Sequence, residues 1–220
     1  MSNVIIFSLI SLISAGVLDV VYKHAAQKTQ SRGVFFCVGG IVWLLFEIAS
    51  THFLGVKFEF DSITLIFGLI IGILAIIANI CLVEGLVHID VSLGSTIYRL
   101  NTIGVVLLSY FFLDETMGPL KLLGICLGLA SILVIYSSPN NHNNKKYIKL
   151  FIIVLIFASL MRAIFGVVLK YALLLGVNPS IIMVFVSFSW VIGGLVYFMI
   201  RERGSSITGD KIKIGIFAGI

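Results

Sequence analysis

Residues 18–25 read LDVVYKHA, and residues 165–172 read FGVVLKYA. Each stretch ends an apolar run, and each carries a lysine in the pattern V-V-x-K-x-A. A shift of 147 residues superimposes the two patterns and also lays Trp43 on Trp190, the two tryptophans of the chain. Because one shift matches both features, coincidence is a poor explanation, and the sequence indicates two homologous halves.

The composition predicts a membrane protein without reference to any motif. Of the 220 residues, 60% are hydrophobic and 11% are charged, and the mean hydropathy is +1.16. A soluble domain carries about 25% charged residues. Several stretches reach the ~18 apolar residues of a membrane helix. We therefore expect an all-α membrane protein, a multi-pass helical bundle.

The net charge of +5 does not indicate a nucleic-acid partner. The basic residues stand at the ends of apolar runs and not on one polar domain, so they are better read as orientation signals in a lipid bilayer.

We place seven full spans and the start of an eighth. Their approximate limits are 4–26, 33–53, 63–85, 91–112, 119–137, 148–172 and 180–200, with 212–220 beginning the eighth. The polar stretch SSPNNHNNKK separates the halves. This gives a first repeat at 1–137, a linker at 138–147 and a partial second repeat at 148–220.

The halves are expected to be inverted repeats of five helices each, the second incomplete. Five spans is an odd number, so the second half enters the membrane from the opposite side, as in many transporters. Lys23 and Lys170 would then be symmetry mates that approach the membrane from opposite faces. The stretch DSITLIFGLIIG (61–72) resembles DKIKIGIFAGI (210–220), so the chain ends where the third helix of its second repeat begins.

An ionisable side chain at the bilayer centre costs roughly 2.5–3.5 kcal/mol, so each one needs a partner, a cavity or a route to the headgroups. In the first span Ser11, Ala15, Asp19 and Lys23 form one small and polar stripe. Asp19 and Lys23 are one turn apart and can pair. Lys23 could line a pore or could extend to the headgroups with Asp19 as a surface partner. The sequence leaves both readings open.

The fourth span has one polar face, which carries Ser92, Ser95, Arg99 and Thr102, with Tyr98 and Asn101 beside it. Its hydroxyl groups favour helix packing. The arginine is too costly for packing alone, and we expect a cavity or a carboxylate partner for it.

Four other polar residues lie within spans: Glu47, Asn79, Glu84 and Arg162. Glu47 and Arg162 are expected to face the interior, whereas Glu84 is close enough to a span end to reach water. An embedded carboxylate near a basic group suits proton coupling or binding of an anionic substrate, and one sequence does not decide between them.

No metal, cofactor or enzymatic activity is expected. The cysteines Cys37, Cys81 and Cys126 occupy different apolar runs without a histidine pair nearby. The chain also lacks H-E-x-x-H and G-x-S-x-G motifs.

The stretch STIYRLNTIGVVLLSYFFLDETMGPLKLLGICLGLASILVIYS (95–137) resembles the EamA-like branch of the drug/metabolite transporter superfamily. Leu113-Asp114-Glu115 matches the family's turn after the fourth helix, and Gly124 and Leu127 match its fifth helix. The resemblance implies ten helices and transport of a small solute. The proline that the family usually has midway along the fourth helix is missing near Asn101 and Thr102, so a hinge there does not carry over.

Two signals disagree on orientation. Basic residues concentrate in the connections after the odd-numbered spans, which favours an N-terminus outside the cell. The resemblance implies a cytoplasmic N-terminus as the usual arrangement. We lean towards the charge pattern.

The leading hypothesis is a secondary transporter that moves a small metabolite or drug-like solute by alternating access. The alternatives are a non-transporting, partner-dependent membrane subunit and an inactive truncated fragment. We expect a multi-pass protein of a bacterial-type inner or plasma membrane, and both proton coupling and a homodimer are compatible with the sequence. The candidate substrate-binding residues are Asp19, Lys23, Glu47, Asn79, Tyr98, Arg99, Arg162, Lys170 and Trp190.

Overall fold

The computed structural model describes residues 2–27, 31–56, 61–137, 145–203 and 209–219. These residues form nine helices and no strand. The helices are α1 (Ser2–Ala25), α2 (Arg32–Phe53), α3 (Ser62–Leu86), α4 (Val91–Arg99), α5 (Asn101–Phe112), α6 (Pro119–Ser137), α7 (Lys145–Leu174), α8 (Pro179–Arg201) and α9 (Gly209–Gly219). The chain is a helical membrane bundle, as the composition predicts.

Five segments within the described residues are long and apolar enough to cross a membrane: Arg32–Phe53, Ser62–His88, Val91–Phe112, Lys149–Leu174 and Pro179–Arg201. Seven were expected. The other two predicted spans are helical, as α1 and α6, and within α6 Pro119–Ser131 is a shorter apolar helix. Large apolar side chains face outwards, including Phe46 at 66% exposure and Phe111 at 71%. Lipid would cover such a surface.

The linker predicted at 138–147 is only partly within the described residues. Helix α7 begins at Lys145, so the last three residues of that linker are helical. Residues 138–144 lie outside the described residues.

Side chains cap the N-termini of α3 and α8. The Asp61 carboxylate accepts a hydrogen bond from the Thr64 amide at 3.2 Å, and the Asn178 side chain accepts one from the Ser180 amide at 2.9 Å. Hydrogen bonds from Thr64 hold the pKa of the Asp61 carboxyl below its usual value. The two caps fix where these helices begin.

The fourth predicted span is interrupted at Leu100, although it has no proline. The Leu100 amide donates to the Ile97 carbonyl at 3.1 Å, three residues back, and so tightens the helix locally. Just before this point the hydroxyls of Ser95 and Thr96 each bond to a carbonyl four residues earlier, at 2.7 Å. Such bonds compete with the helical ladder and bend helices. The helix therefore tightens at Leu100, beside the hydroxyl residues of this span.

Helices α2 and α8 cross in antiparallel register, with glycines at their contacts. A Cβ atom on Gly33 would lie 2.6 Å from the Phe198 Cβ, and one on Gly40 would lie 2.7 Å from the Val191 nitrogen. No side chain fits at either distance, so the glycines allow the two backbones to touch.

Helix α3 packs along α8 in parallel register, again through glycines. A Cβ atom on Gly68 would lie 2.6 Å from the Phe185 ring, and one on Gly72 would overlap the Ser189 hydroxyl. Helix α3 also packs against α7, so it joins the first half of the chain to the second.

Helix α9 packs along α2 in the same manner. A Cβ atom on Gly215 would lie 2.7 Å from the Val38 Cβ, and one on Gly219 would lie 2.6 Å from the Val42 Cβ. The shift of 147 residues converts each of these contacts into one of the α3–α8 contacts, with Gly68 becoming Gly215. The two glycine seams are therefore equivalent in position as well as in sequence.

Candidate functional site

A cavity of about 630 Å³ lies among α1, α2, α3, α7, α8 and α9. Its volume is within the range of roughly 300–1,000 Å³ that is typical of small-molecule sites. The aromatic and strongly polar members of its wall are Tyr22, Trp43, Asn79, Arg162, Trp190 and Phe217. Both halves of the chain contribute to it.

The aromatic wall is centred on Trp190. Its ring meets that of Trp43 with centroids 5.5 Å apart and planes at 85°, and that of Phe36 at 5.3 Å and 83°. The Tyr22 ring lies 6.4 Å away on another side. Edge-to-face contacts of this kind are favourable between aromatic rings, so Trp190 joins rings of α1 and α2 into one wall.

Tyr22 and Asn79 form a hydrogen bond with each other on the same wall. The Tyr22 hydroxyl donates to Asn79 Oδ1 at 3.0 Å, and Asn79 Nδ2 donates to the Ala75 carbonyl at 2.7 Å. Asn79 is 4% exposed. The pair ties α1 to α3 and offers the cavity few free polar atoms.

Two donors at the cavity lack acceptors. The Arg162 guanidinium lies over the Phe165 ring, 4.2 Å from its centroid, and makes no ion pair or hydrogen bond within the described residues. Trp190 Nε1 is buried without an acceptor in the same part of the chain. Uncompensated polar groups of this kind are costly inside a membrane protein, which makes this wall the candidate ligand site.

Asp19 and Arg99 form an ion pair outside the cavity wall. Arg99 donates to Asp19 Oδ2 at 2.6 Å, with side-chain exposures of 40% for Arg99 and 14% for Asp19. The expected carboxylate partner of Arg99 is therefore present. The pairing of Asp19 with Lys23 that helical spacing allows is not formed, because Asp19 faces α4 and Lys23 faces the end of α3.

The two lysines of the repeated pattern have different partners. Lys23 Nζ donates to the Leu86 carbonyl at 2.7 Å and to the Ile89 carbonyl at 2.9 Å. A cation at the C-terminus of α3 satisfies carbonyls that the helix cannot. Lys170 forms an ion pair with Glu115, which also binds Lys121 at 3.2 Å. Neither lysine lines the cavity.

Glu84, which was expected to reach water, joins three helices. It forms an ion pair with Arg32 at 2.8 Å and accepts a hydrogen bond from the Tyr197 hydroxyl. Its side chain is 26% exposed, and the start of α2 and the end of α8 bring donors to it.

A second carboxylate caps the N-terminus of α2 at the same end of the bundle. Glu202 accepts hydrogen bonds from the Ser31 hydroxyl and from the backbone amides of Arg32 at 2.8 Å and Gly33 at 3.2 Å. A negative charge at a helix N-terminus is favourable. Together with the Glu84 cluster, it fastens α2, α3 and α8 at this face.

Asn79, Arg162 and Trp190 are the predicted site residues that line the cavity. Glu47 lies behind the wall, where it accepts a hydrogen bond from Trp43 Nε1 at 2.9 Å. Tyr98 is buried at 9% exposure and does not line the cavity. Asp19, Lys23, Arg99 and Lys170 also lie off the wall.

The prediction omitted Tyr22 and Trp43, both of which line the cavity. The signal for Trp43 was its match to Trp190. Tyr22 lies three residues after Asp19 on the polar stripe of the first span, and that spacing was the signal for it. Within the described residues, no group of three or more His, Cys, Asp and Glu residues could hold a metal ion.

The model of the EamA-like transporter family matches residues 2–137. The chain belongs to the EamA-like transporter family. The match runs from α1 to the end of α6 and covers the stretch at 95–137 that carries the resemblance in the sequence. With its apolar helices, the chain is an integral membrane protein of a family of transporters. No curated protein and no solved structure matches it.

Proposed function

We propose that this protein is a secondary transporter that carries a small solute by alternating access through the cavity between two inverted repeats. The observation that carries the proposal is the place of the cavity. It lies where Trp43 and Trp190, which the 147-residue shift superimposes, meet across the α2–α8 crossing. A site between two related halves is where an inverted-repeat transporter binds its solute.

Helix direction supports the inverted arrangement. Helices α2 and α8 are equivalent under the shift, yet they run antiparallel, with Gly33 beside Phe198 and Gly40 beside Val191. Equivalent segments of opposite direction require a two-fold axis in the membrane plane. The seven complete spans and the partial eighth are part of this proposal.

The helices around the cavity are joined by ion pairs and hydrogen bonds at one face and by glycine packing in the middle of the bundle. This difference suits a transporter with two states. At the face where α2 begins, Glu84 and Glu202 tie α2, α3 and α8 together. The glycine seams in the middle of the bundle are close packing contacts of glycine backbones against the facing helices. Rocking about these seams would require release of the carboxylate clusters, so we assign the clusters to the closed state of that face.

Proton coupling remains part of the proposal, with Glu47 as the candidate proton site. Its carboxylate is hydrogen-bonded to a ring of the cavity wall, Trp43. A change in the protonation of Glu47 would change this hydrogen bond and so alter the position of Trp43 in the cavity wall. Glu47 would then affect the solute site without touching the solute.

Thiol accessibility tests alternating access without a known solute. Cys37, Cys81 and Cys126 are first replaced by alanine, and Ala15→Cys then places one thiol at the cavity. A membrane-impermeant maleimide is applied to right-side-out and to inverted vesicles. Alternating access predicts labelling from both sides, and labelling from one side alone would contradict it.

A matched control lies on the same helix. Val20 is 63% exposed on the outer surface of α1 and does not line the cavity. A thiol in lipid stays protonated and unreactive. Val20→Cys is therefore expected to remain unlabelled from either side, which would show that labelling at position 15 depends on water in the cavity.

A further inference from the structure

We infer that the cavity binds organic monocarboxylates with a flat apolar body, and that Arg162 holds the carboxylate. This inference rests on the proposed role of the cavity as the solute site and adds the chemical class of the solute. Three features carry it: a cation without a carboxylate partner within the described residues, aromatic walls and a lining without acidic side chains.

The cation is Arg162. Its guanidinium is half-buried near the middle of α7, and Phe165 supports it from one side at 4.2 Å. Within the described residues it has no carboxylate, so its positive charge is compensated by a ring alone. A guanidinium presents its N–H groups in a planar fork that matches a carboxylate in bidentate geometry. A bound anion would supply the missing charge.

A difference between the halves explains why Trp190 Nε1 has no acceptor within the described residues. Trp43 Nε1 donates to Glu47, four residues later on the same helix. The shift of 147 residues places Gly194 at the position of Glu47, so Trp190 has no equivalent acceptor. Glycine is required there, because a Cβ atom on Gly194 would lie 2.9 Å from the Cys37 Cα. Because Trp190 Nε1 is also closed off from the cavity, Trp190 offers the solute its ring and not its N–H.

The rest of the lining defines the body and the charge of the solute. Tyr22, Trp43 and Phe217 offer aromatic surfaces, and the part of α1 that lines the cavity is largely aliphatic. A flat apolar group suits walls of this kind. The described lining residues include no Asp or Glu. An ammonium group would meet the positive charge of Arg162 and no carboxylate on this lining, which disfavours cations and zwitterions.

Equilibrium dialysis of the full chain in lipid nanodiscs tests the inference with three radiolabelled probes. Phenylacetate carries the carboxylate, phenylacetamide is its neutral analogue, and phenylalanine adds an ammonium group. Phenylacetate is expected to bind about tenfold or more tightly than either of the others, because only it pairs the half-buried guanidinium without a new unpaired charge. Absence of saturable phenylacetate binding, or equal binding of phenylacetamide, would overturn the inference.

Variants test whether Arg162 causes the preference for phenylacetate over phenylacetamide. Arg162→Gln should abolish the preference for phenylacetate over phenylacetamide, and Arg162→Lys should retain part of it. Arg203→Gln removes an exposed charge beyond the end of α8 and is the control, expected to bind like the parent. A preference that survives Arg162→Gln would refute the assignment.

The inference and the proposed function fail in different experiments. If phenylacetate binds as expected but the thiol at position 15 reacts from one side only, the anion site stands and alternating access is lost. If the thiol reacts from both sides while phenylacetate and phenylacetamide bind equally, transport stands and the solute class is wrong. Circular dichroism of each variant checks that its helical content is unchanged.

Discussion

Trp43 and Trp190 meet edge to face, with ring centroids 5.5 Å apart and planes at 85°. They are the two tryptophans of the chain and are separated by 147 residues, the interval that also separates the two lysine patterns. Equivalent residues touch in this way only near the axis that relates their helices. Under the proposed inverted repeat, this contact would lie near the axis that relates the halves, and both rings line the cavity.

The first prediction concerns the glycine at the α2–α8 crossing. Gly194→Val should destabilise the protein by about 1–3 kcal/mol or more, because a side chain there meets the Cys37 backbone. Thermal unfolding in detergent, followed by circular dichroism, measures the loss. Gly16→Ala is the control, since nothing lies within 4 Å of a Cβ atom at Gly16. Equal stability of the Gly194 variant and the parent would contradict the close crossing.

The second prediction concerns the ion pair between Asp19 and Arg99. Asp19→Asn and Arg99→Gln should each destabilise the protein, because each leaves a charge unpaired within the bundle. The double variant should lose less than the sum of the two, with a coupling energy on the order of 1 kcal/mol. The unfolding midpoints of the parent, the two single variants and the double variant complete this double-mutant cycle. Strict additivity would mean that the pair does not form in the membrane.

The helices themselves could be predicted from the sequence, because the length of an apolar run is a local property. Span 33–53 is α2 to within a residue, and span 180–200 is α8 to within a residue. The break at Leu100 was not predicted, since no proline signals it. Hydroxyl residues bend helices too variably to give a reliable signal.

The partners of the polar residues could not be predicted, because spacing along one helix reveals only neighbours on that helix. Lys23 has Asp19 one turn away, yet it binds carbonyls at the end of α3. Asp19 pairs instead with Arg99, 80 positions along the chain. Arg162 was predicted to face the interior, and it lines the cavity without a carboxylate because no acidic side chain reaches it among the described residues.

The third prediction concerns proton coupling at Glu47. Glu47→Gln keeps a carbonyl oxygen as acceptor for Trp43 Nε1 but cannot release a proton, so the wall should remain in place. In proteoliposomes that contain a pH-sensitive dye, phenylacetate-dependent proton movement should fall to the level of empty liposomes. Glu202→Gln, at the α2 cap, is the control and should retain proton movement. If Glu47→Gln also retains it, the proton site lies elsewhere.

The fourth prediction tests the reversed polarity of the halves. Helices α1 and α7 carry the matched lysines near their C-terminal ends, and inverted repeats place these ends on opposite faces of the membrane. Single cysteines in a cysteine-free background, at Gln27 after α1 and at Gly176 after α7, should react with an impermeant maleimide from opposite sides of the membrane. Arg203→Cys, after α8, is the internal reference and should react from the same side as position 27, because α8 returns to the face where α2 begins. Positions 27 and 176 reacting from one side would mean that the halves are parallel, and the antiparallel crossing of α2 and α8 could not then arise from a repeated fold.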